Sequence, residues 1–386
     1  MLNFADLCIE RPVGTEGNNK VIKLLEGAFS KLGYNILELP FNCTVWQSNK
    51  SFAEQNNKKI EIFPSPFSKN LKGNFHIKYV SSLMELQSIK DFKGILIFKD
   101  ELTKAAIFPK NFPFYFPDED KEKYEAIEKI NPEGIITISG QDPVSGLNPF
   151  PVFEDVNFQI PAAYAASLED FLENFTENKE ISVEINSKRY KEKSKQIFFR
   201  NEGVSEDIIL VAAHMDSKYN TDGAIDNAAG LYTLYETAKL IKACRFNHTI
   251  EIVPFNGEDS PEVCGQMAYL NYLKENNLKV KTVINIDGVG SIGSENIFSF
   301  YNFDKIVKNK IVSENNLSEG EQWYSGDHCI FTFQEIPCIA VTASNMFTEL
   351  IKITHTKNDK MELVDIRLPE MLSKTIFDII KILDIQ

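Results

Sequence analysis

The stretch "DIILVAAHMDS" (207–217) decides the fold class, because a continuous apolar run ends directly on His214 and Asp216. A run of this length without polar alternation predicts a strand that is buried on both faces, as in parallel sheets covered by helices. Ligands of such sheets bind beyond the carboxyl ends of the strands. The side chains that follow this run, and those that follow its neighbours, are therefore the first candidates for a functional site.

Similar apolar runs alternate with amphipathic segments through the rest of the C-terminal half. Strands are predicted for "TIEIVPFN" (249–256), "KTVINIDG" (281–288) and "IPCIAVTA" (336–343), and helices for "NAAGLYTLYETAKLIKA" (227–243) and "MLSKTIFDIIKIL" (371–383). Strands that alternate with helices are joined by crossover connections. We predict an α/β fold with a mixed, mostly parallel central sheet and helices on both faces.

The N-terminal half changes character after its first helix, which is predicted for "NNKVIKLLEGAFSKLGY" (18–34). Long loops follow, among them "NFPFYFPDEDKEKYE" (111–125) and "QDPVSGLNPFPVF" (141–153), and short apolar strands separate them. Clusters of Pro, Asn and Gly mark such loops. We predict a catalytic domain formed by 1–50 and 178–386, with a smaller β-rich domain of 51–177 inserted into it.

Composition restricts the partners and the compartment. The 386 residues include 41 Lys and Arg against 55 Asp and Glu, so the net charge is -14. A charge of this sign repels nucleic acids and anionic lipid surfaces. No segment approaches the roughly 20 apolar residues that a membrane span needs, and the six cysteines form no CxxC pair. We predict a cytoplasmic protein with neither a nucleic-acid nor a membrane partner; its oligomeric state stays open.

Ligand-type side chains stand at the end of each predicted strand of the C-terminal half. They are His214, Asp216, Asp226, Glu258, Asp259, Asp287 and His355. Two imidazoles with carboxylates and no thiolate suit zinc, cobalt or manganese. The set is too large for one tetrahedral site, whereas two ions about 3.5–4 Å apart would use it. One of the adjacent acids Glu258 and Asp259 could then bind metal while the other accepts a proton.

Each of these residues also has an ordinary structural interpretation. His214 could be a hydrogen-bonded core histidine, Asp226 could cap a helix, and "NGED" (256–259) could be a solvated turn. The functional interpretation depends on all of them meeting at one sheet edge. His76 and His248 do not fall at that edge and are predicted to be surface residues.

Six motifs in one order resemble the co-catalytic zinc aminopeptidase family, whose relatives include glutamate carboxypeptidases and glutaminyl cyclases. They are "AAHMDS" (212–217), "DGAIDNAAG" (222–230), "FNGEDS" (255–260), "INIDGVG" (284–290), "GDHCIF" (326–331) and "THTKND" (354–359). The resemblance covers "RPVGTEGNN" (11–19) and 178–386. The inserted segment, with "GILIFKD" (94–100) and "IPAAYAAS" (160–167), resembles a protease-associated domain.

The resemblance implies a pair of divalent ions, by preference zinc. Carried over by position, His214 and Asp287 would hold one ion, Asp259 and His355 the other, and Asp226 would bridge them.

It also implies the activity of the site. Asp216 would orient His214, Glu258 would be the general base, and His328 would contact the substrate. The implied function is that of a zinc exopeptidase, foremost an aminopeptidase acting on peptide substrates. A glutaminyl cyclase-like acyltransferase and an inactive, peptidase-like binding protein are the alternatives.

This chain departs from the family pattern at two of these positions. Asp259 stands where the family usually has Glu, which shortens that ligand by one methylene and leaves the metal identity open. Thr354 stands where some members have Tyr or Trp before the last ligand, so no oxyanion-stabilising side chain is assigned. In contrast, "AIDNAAG" (224–230) is of the peptidase type and favours hydrolysis over cyclisation.

Overall fold

The structure, a computed structural model, describes residues 2–138, 151–165, 168–177 and 179–385. Most of the predicted loop at 141–153 and the end of "IPAAYAAS" lie outside the described residues. The chain forms two compact units, one of Met1–Cys43 with Glu192–Gln386 and one of Thr44–Lys191. The second unit begins before the predicted position 51 and ends after position 177, inside two long strands that belong to both units.

Sixteen strands are found in the described residues. They are β1 (Asn35–Ser48), β2 (Ser51–Gln55), β3 (Lys58–Pro64), β4 (Leu71–Phe75), β5 (Ile77–Val80), β6 (Ile95–Phe98), β7 (Gly134–Ile138), β8 (Ala162–Ala165), β9 (Ile181–Ile185), β10 (Ser187–Asn201), β11 (Ser205–His214), β12 (His248–Phe255), β13 (Val280–Ile286), β14 (Asn296–Tyr301), β15 (Ser318–Glu319) and β16 (Cys338–Ala343).

The same residues contain nine α-helices. They are α1 (Glu16–Lys31), α2 (Leu83–Ser88), α3 (Asp118–Ile130), α4 (Leu168–Asn174), α5 (Ala229–Lys242), α6 (Cys264–Glu275), α7 (Lys305–Asn315), α8 (Cys329–Thr332) and α9 (Arg367–Asp384). Within this part of the chain no helix is both long and apolar enough to cross a membrane.

The first unit is built around a sheet with the order β1-β10-β12-β11-β13-β16-β14-β15. The four central strands β12, β11, β13 and β16 are parallel, while β10 and β14 run antiparallel to their neighbours. The predicted α/β class with a mixed, mostly parallel sheet is therefore confirmed. Strand β11 is followed in the chain by β12 on one side and then by β13 on the other, so the strand order reverses beside β11.

Alternate residues of the central strands form the main core. Ile209, Val211 and Ala213 on one face of β11 share a hydrophobic cluster with apolar residues of α1, α5 and α9. The inner face of α1 contributes Leu25 and Phe29 at helical spacing. Thr15 caps the start of this helix by accepting from the Asn18 N–H, and Gly33, with φ of +82°, follows its end. Because helices cover the central strands, most of their side chains are apolar; Glu251 in the middle of β12 is a buried exception, and it accepts from Arg200 at 2.8 Å.

The second unit has its own sheet with the order β4-β9-β2-β3-β8-β7-β6-β5. Strands β5 to β8 are parallel, and the pairs from β8 through β3, β2 and β9 to β4 are antiparallel. Separate hydrophobic clusters lie within this unit, and one of them includes Leu86 of α2 and Tyr124 of α3. The unit therefore has a core of its own.

Candidate metal centre

Three neighbouring strands, β12, β11 and β13, end at the same edge of the first sheet. His214 is the last residue of β11, Asp287 follows β13, and Glu258 and Asp259 lie in the loop after β12. His214 pairs in register with Phe255 of β12, so the two strands end at the same level. The parallel direction of these strands places their polar ends together, as the apolar runs predicted.

The side chains at this edge approach one another closely around Asp226. The Nε2 atom of His214 lies 2.9 Å from Asp226 Oδ1 and 3.5 Å from Asp287 Oδ1. On the other side, His355 Nε2 lies 3.0 Å from Asp226 Oδ2 and 3.4 Å from Asp259 Oδ1. Asp226 therefore offers one carboxylate oxygen to each histidine, which is the geometry of a bridging ligand.

Three groups of these side chains could each hold a metal ion. Their ligand atoms lie within 4.8 Å of one another in His214–Asp226–Asp287, in Asp226–Asp259–His355 and in His214–Glu258–Asp259. The first two groups share Asp226. The predicted ligands His214, Asp226, Asp259, Asp287 and His355 are thus brought together, and their assignment to particular ions stays a prediction.

The backbone positions the two outlying members of the cluster. Asp226 lies in a turn within Ala224–Ala228, just before α5; its backbone is non-helical, with φ of -116° and ψ of 88°, and its peptide bond to Asn227 is cis. Asn227 donates to the Ile286 carbonyl at 2.8 Å, which ties this turn to the end of β13. His355 has φ of +65°, a conformation that non-glycine residues seldom adopt and that is often found at functional sites.

The charge state of the cluster fits divalent cations. Burial raises the pKa of Asp259 to about 7, with a contribution from the Asp226 carboxylate, and burial also raises the pKa of Asp287 and of Glu258. In addition, the buried Asp259 Oδ2 has no hydrogen-bond partner. Several carboxylates in a buried space repel one another, and metal ions that displace their protons relieve this repulsion.

The tautomer of His214 leaves its outer nitrogen available as a ligand. Its Nδ1 lies 3.2 Å from the backbone carbonyl oxygen of Asp216. A carbonyl can only accept, so Nδ1 carries a proton. Nε2 faces the carboxylates of Asp226 and Asp287, which also accept, and the neighbouring carboxylates raise the pKa of His214 in spite of its burial. A metal ion would take the place of the Nε2 proton. Asp216 therefore orients His214 through its main chain, while its carboxylate lies farther away, with Oδ1 at 3.8 Å.

The Asp216 carboxylate instead organises the loop that carries the adjacent acids. It accepts from the backbone N–H groups of Gly257 at 2.8 Å, Glu258 at 3.2 Å and Asp259 at 3.1 Å. Gly257 has φ of +144°, and a Cβ atom there would lie 2.9 Å from Gln266 Oε1. The sequence predicts Asp216 beside the centre. The structure adds that its carboxylate binds the backbone of the Glu258 loop, which the spacing from His214 does not indicate.

Arg11 is a buried residue of this region that the sequence analysis did not single out. Its side chain is fully buried and donates to the carbonyl oxygens of Met215 at 2.9 Å, Asp222 at 2.8 Å and Gly223 at 2.9 Å. These bonds connect the N-terminal segment to the loop between β11 and the Asp226 turn. The motif "RPVGTEGNN" was the available signal, although it does not indicate which carbonyls Arg11 meets.

His328 is also buried near the centre, but it makes structural contacts. Its ring lies 3.0 Å from the Trp323 carbonyl oxygen through Nε2 and 3.5 Å from Asn285 Nδ2 through Nδ1. Because a carbonyl accepts, Nε2 carries the proton and the neutral ring links Trp323 to β13. Contact of His328 with substrate stays a prediction, since its side chain is not exposed in this structure.

The neutral state of His328 predicts a specific pH dependence of stability. Burial lowers the pKa of His328 from 6.5 to about 4. Between these values the unfolded chain binds a proton that the folded chain does not, so the free energy of unfolding falls as the pH is lowered. Between pH 7 and pH 5 we expect the free energy of unfolding of the wild type to fall by about 2 kcal/mol more than that of His328→Gln. Urea unfolding of both proteins in a chelator measures this difference; equal losses would contradict it.

Imidazoles and carboxylates at the carboxyl edge of a parallel α/β sheet are the donor set of a metal-binding site, at the edge where such sheets bind their ligands. Residues 197–380 match the profile of peptidase family M28. Aminopeptidase YwaD of Bacillus subtilis (strain 168) is 34% identical over 86 residues, a match that spans 22% of this chain and 19% of the length of YwaD.

Solved structures show the same fold over nearly the whole chain. BSAP, a zinc aminopeptidase from Bacillus subtilis, has a TM-score of 0.75 at 17% identity, covering 98% of this chain and 92% of its own. An aminopeptidase from Aneurinibacillus sp. strain AM-1 has a TM-score of 0.74 at 16% identity, with 98% and 93% covered. A peptidase M28 precursor from Shewanella amazonensis SB2B has a TM-score of 0.70 at 18% identity, with 99% and 90% covered.

Proposed function

We propose that this protein is a zinc-dependent aminopeptidase that hydrolyses N-terminal residues from peptides with a pair of metal ions. The observation that carries the proposal is the grouping of two candidate metal positions around Asp226, with Glu258 beside them. The match of residues 197–380 to peptidase family M28 supports it, and the similar proteins YwaD and BSAP are named as aminopeptidases. The assignment of the metal ligands, namely His214, Asp287, Asp259 and His355, is part of this proposal.

Bound zinc ions supply Lewis acidity that polarises a peptide carbonyl and makes water a better nucleophile. Glu258 then acts as the general base: it takes a proton from the attacking water and passes it to the leaving amine. Its carboxylate suits this role because its side chain is 22% exposed, whereas that of Asp259 is 2% exposed. Asp216 keeps Glu258 in place through the backbone of the loop.

The charge of the site favours a substrate with a free N-terminal ammonium group. Glu258 and Asp259 lie in one group with His214, and Asp287 lies in a second group that shares His214. Carboxylates attract a cation at short range. An exopeptidase of this kind requires that ammonium group, whereas an endopeptidase does not. The family match does not favour glutaminyl cyclisation or an inactive binding protein, and all the predicted ligand positions carry metal-binding side chains.

Two finer features are also proposals. The unit Thr44–Lys191 serves as a protease-associated domain, which its position ahead of the catalytic strands suggests. A cytoplasmic location is supported by cysteines that lack CxxC spacing.

The decisive experiment combines metal analysis with a screen of aminoacyl-anilides and their N-acetylated forms. We expect bound zinc, hydrolysis of the free aminoacyl-anilides, and a loss of about 10²-fold or more in kcat/KM for the acetylated forms, because acetylation removes the ammonium charge.

Equal cleavage of free and acetylated substrates would exclude an aminopeptidase. Pyroglutamate release from glutaminyl peptides without anilide hydrolysis would identify a cyclase instead. Normal cleavage in a strong chelator would exclude the metal mechanism.

A further inference from the structure

A second carboxylate accepts hydrogen bonds from the backbone of the turn that carries Asp226. Asp359 is fully buried and follows His355 by four residues in "THTKND". Its Oδ1 atom accepts from the Ile225 N–H at 2.8 Å and its Oδ2 atom from the Asp226 N–H at 3.1 Å. Both oxygens of this buried side chain are therefore engaged by two consecutive backbone groups of one turn.

Two residues of one short segment contact Asp226: Asp359 contacts its main chain, and His355 contacts its side chain. Asp359 binds the backbone N–H of Asp226, while His355 lies 3.0 Å from the Asp226 carboxylate. A shift of the turn would change the distances from Asp226 to His214 and to His355 together. A carboxylate that is shared between two metal positions must be placed to a fraction of an ångström, since it has to satisfy both.

Arg11 stabilises this arrangement from a third direction. It donates to the carbonyl oxygens of Asp222 and Gly223, which lead into the turn, and its charge attracts the Asp359 carboxylate. A buried carboxylate is costly unless it is paired and hydrogen-bonded. Burial raises the pKa of Asp359 to about 6, and the hydrogen bonds from the two N–H groups together with the Arg11 charge oppose this shift.

We propose that Asp359 is a positioning residue that fixes the bridging carboxylate of Asp226 and thereby sets the affinity of the centre for zinc. This inference rests on the proposed metal centre, but it concerns metal affinity and does not depend on which peptides are cleaved. Residues that orient metal ligands without touching the metal typically contribute about 10- to 100-fold to its affinity.

Asp384 provides a matched control, because it makes the same kind of contact elsewhere. Its carboxylate accepts from the backbone N–H groups of Asn247 at 2.9 Å and His248 at 2.7 Å. It too is buried. His248 begins β12, whereas the candidate metal centre lies beyond the carboxyl end of that strand, so Asp384 belongs to the opposite edge of the sheet.

The experiment compares Asp359→Asn, Asp384→Asn and the wild type, each loaded with zinc. Competition with a chromophoric chelator gives the zinc affinity, and thermal unfolding of the metal-free proteins gives their stability. We expect Asp359→Asn to bind zinc about 10- to 100-fold more weakly. Asp384→Asn is expected to lose stability in the metal-free state while it keeps the wild-type zinc affinity.

Wild-type zinc affinity in folded Asp359→Asn would overturn the inference, and so would an equal loss of affinity in both variants. If the wild type itself bound no zinc, the proposed function would fail instead, so the two failures are distinguishable. If Asp359→Asn does not fold, Asp359→Glu replaces it, because that variant keeps the charge and both acceptors but displaces them by one methylene. Unchanged zinc affinity in Asp359→Glu would then count against the positioning role.

Discussion

Glu258→Gln is expected to lower kcat by about 10²- to 10⁴-fold while the protein keeps its zinc, because glutamine cannot accept the proton of the attacking water. Glutamine matches the shape of glutamate, and the backbone N–H of residue 258 still donates to Asp216, as it does at 3.2 Å in the structure. The loop should therefore keep its conformation. Steady-state kinetics on an aminoacyl-anilide, together with metal analysis of the same sample, measure the two effects separately.

Glu275→Gln is the control for this substitution. Glu275 is exposed at the end of α6, the helix that follows the Glu258 loop. Its substitution changes the net charge by the same amount and is expected to leave kcat unchanged. Full activity of Glu258→Gln would remove Glu258 from the role of general base, and a parallel loss of zinc would show that it acts as a ligand.

Asp226→Asn is expected to weaken zinc binding, whereas Glu258→Gln is expected to keep its zinc. It removes the charge from the carboxylate that lies 2.9 Å from His214 and 3.0 Å from His355. A shared ligand contributes to both metal positions, so we expect zinc affinity to fall by more than the 10- to 100-fold typical of residues that only orient ligands. Hydrolysis should fall to the background rate. Zinc content after dialysis and the rate of anilide hydrolysis are the measurements.

Asp222→Asn, four residues before Asp226, is the matched control. Its carboxylate is 43% exposed and lies 3.6 Å from Lys360 Nζ, and such surface ion pairs contribute about 0–1 kcal/mol. The hydrogen bond from Arg11 to residue 222 uses the backbone carbonyl, so the substitution leaves it in place. If Asp226→Asn kept both zinc and activity, Asp226 would not be the bridging ligand.

The parts of the fold that the sequence predicted correctly are those with a local signal. The apolar runs of β11, β12, β13 and β16 and the amphipathic pattern of α5 and α9 follow from neighbouring residues alone. Strand β14, "NIFSFY" (296–301), was not predicted. Asn296 and Ser299 interrupt its apolar residues, and it pairs antiparallel with β16, so its signal is weaker than that of the continuous apolar runs of the parallel strands.

His248 illustrates how tertiary structure overrides a local expectation. Because His248 does not fall at the edge of the sheet that carries the candidate ligands, it was predicted to be a surface residue. This was wrong: His248 is 9% exposed, and its Nδ1 lies 3.2 Å from Asp384 Oδ1. The residue is covered because the C-terminal helix α9 ends beside it. A contact between residues 136 positions apart leaves no trace in the sequence around either one.

The sequence by itself determined which side chains stand at the ends of the strands, because strand position and apolar periodicity are properties of short segments. It therefore identified His214, Glu258 and Asp287 as candidates. Only the tertiary structure decided how these side chains are held. Arg11 meets carbonyl oxygens more than 200 residues away, and Asp359 meets the Asp226 turn across 133 residues. Such hydrogen bonds form when the folded sheet brings distant segments together, and no local pattern encodes them.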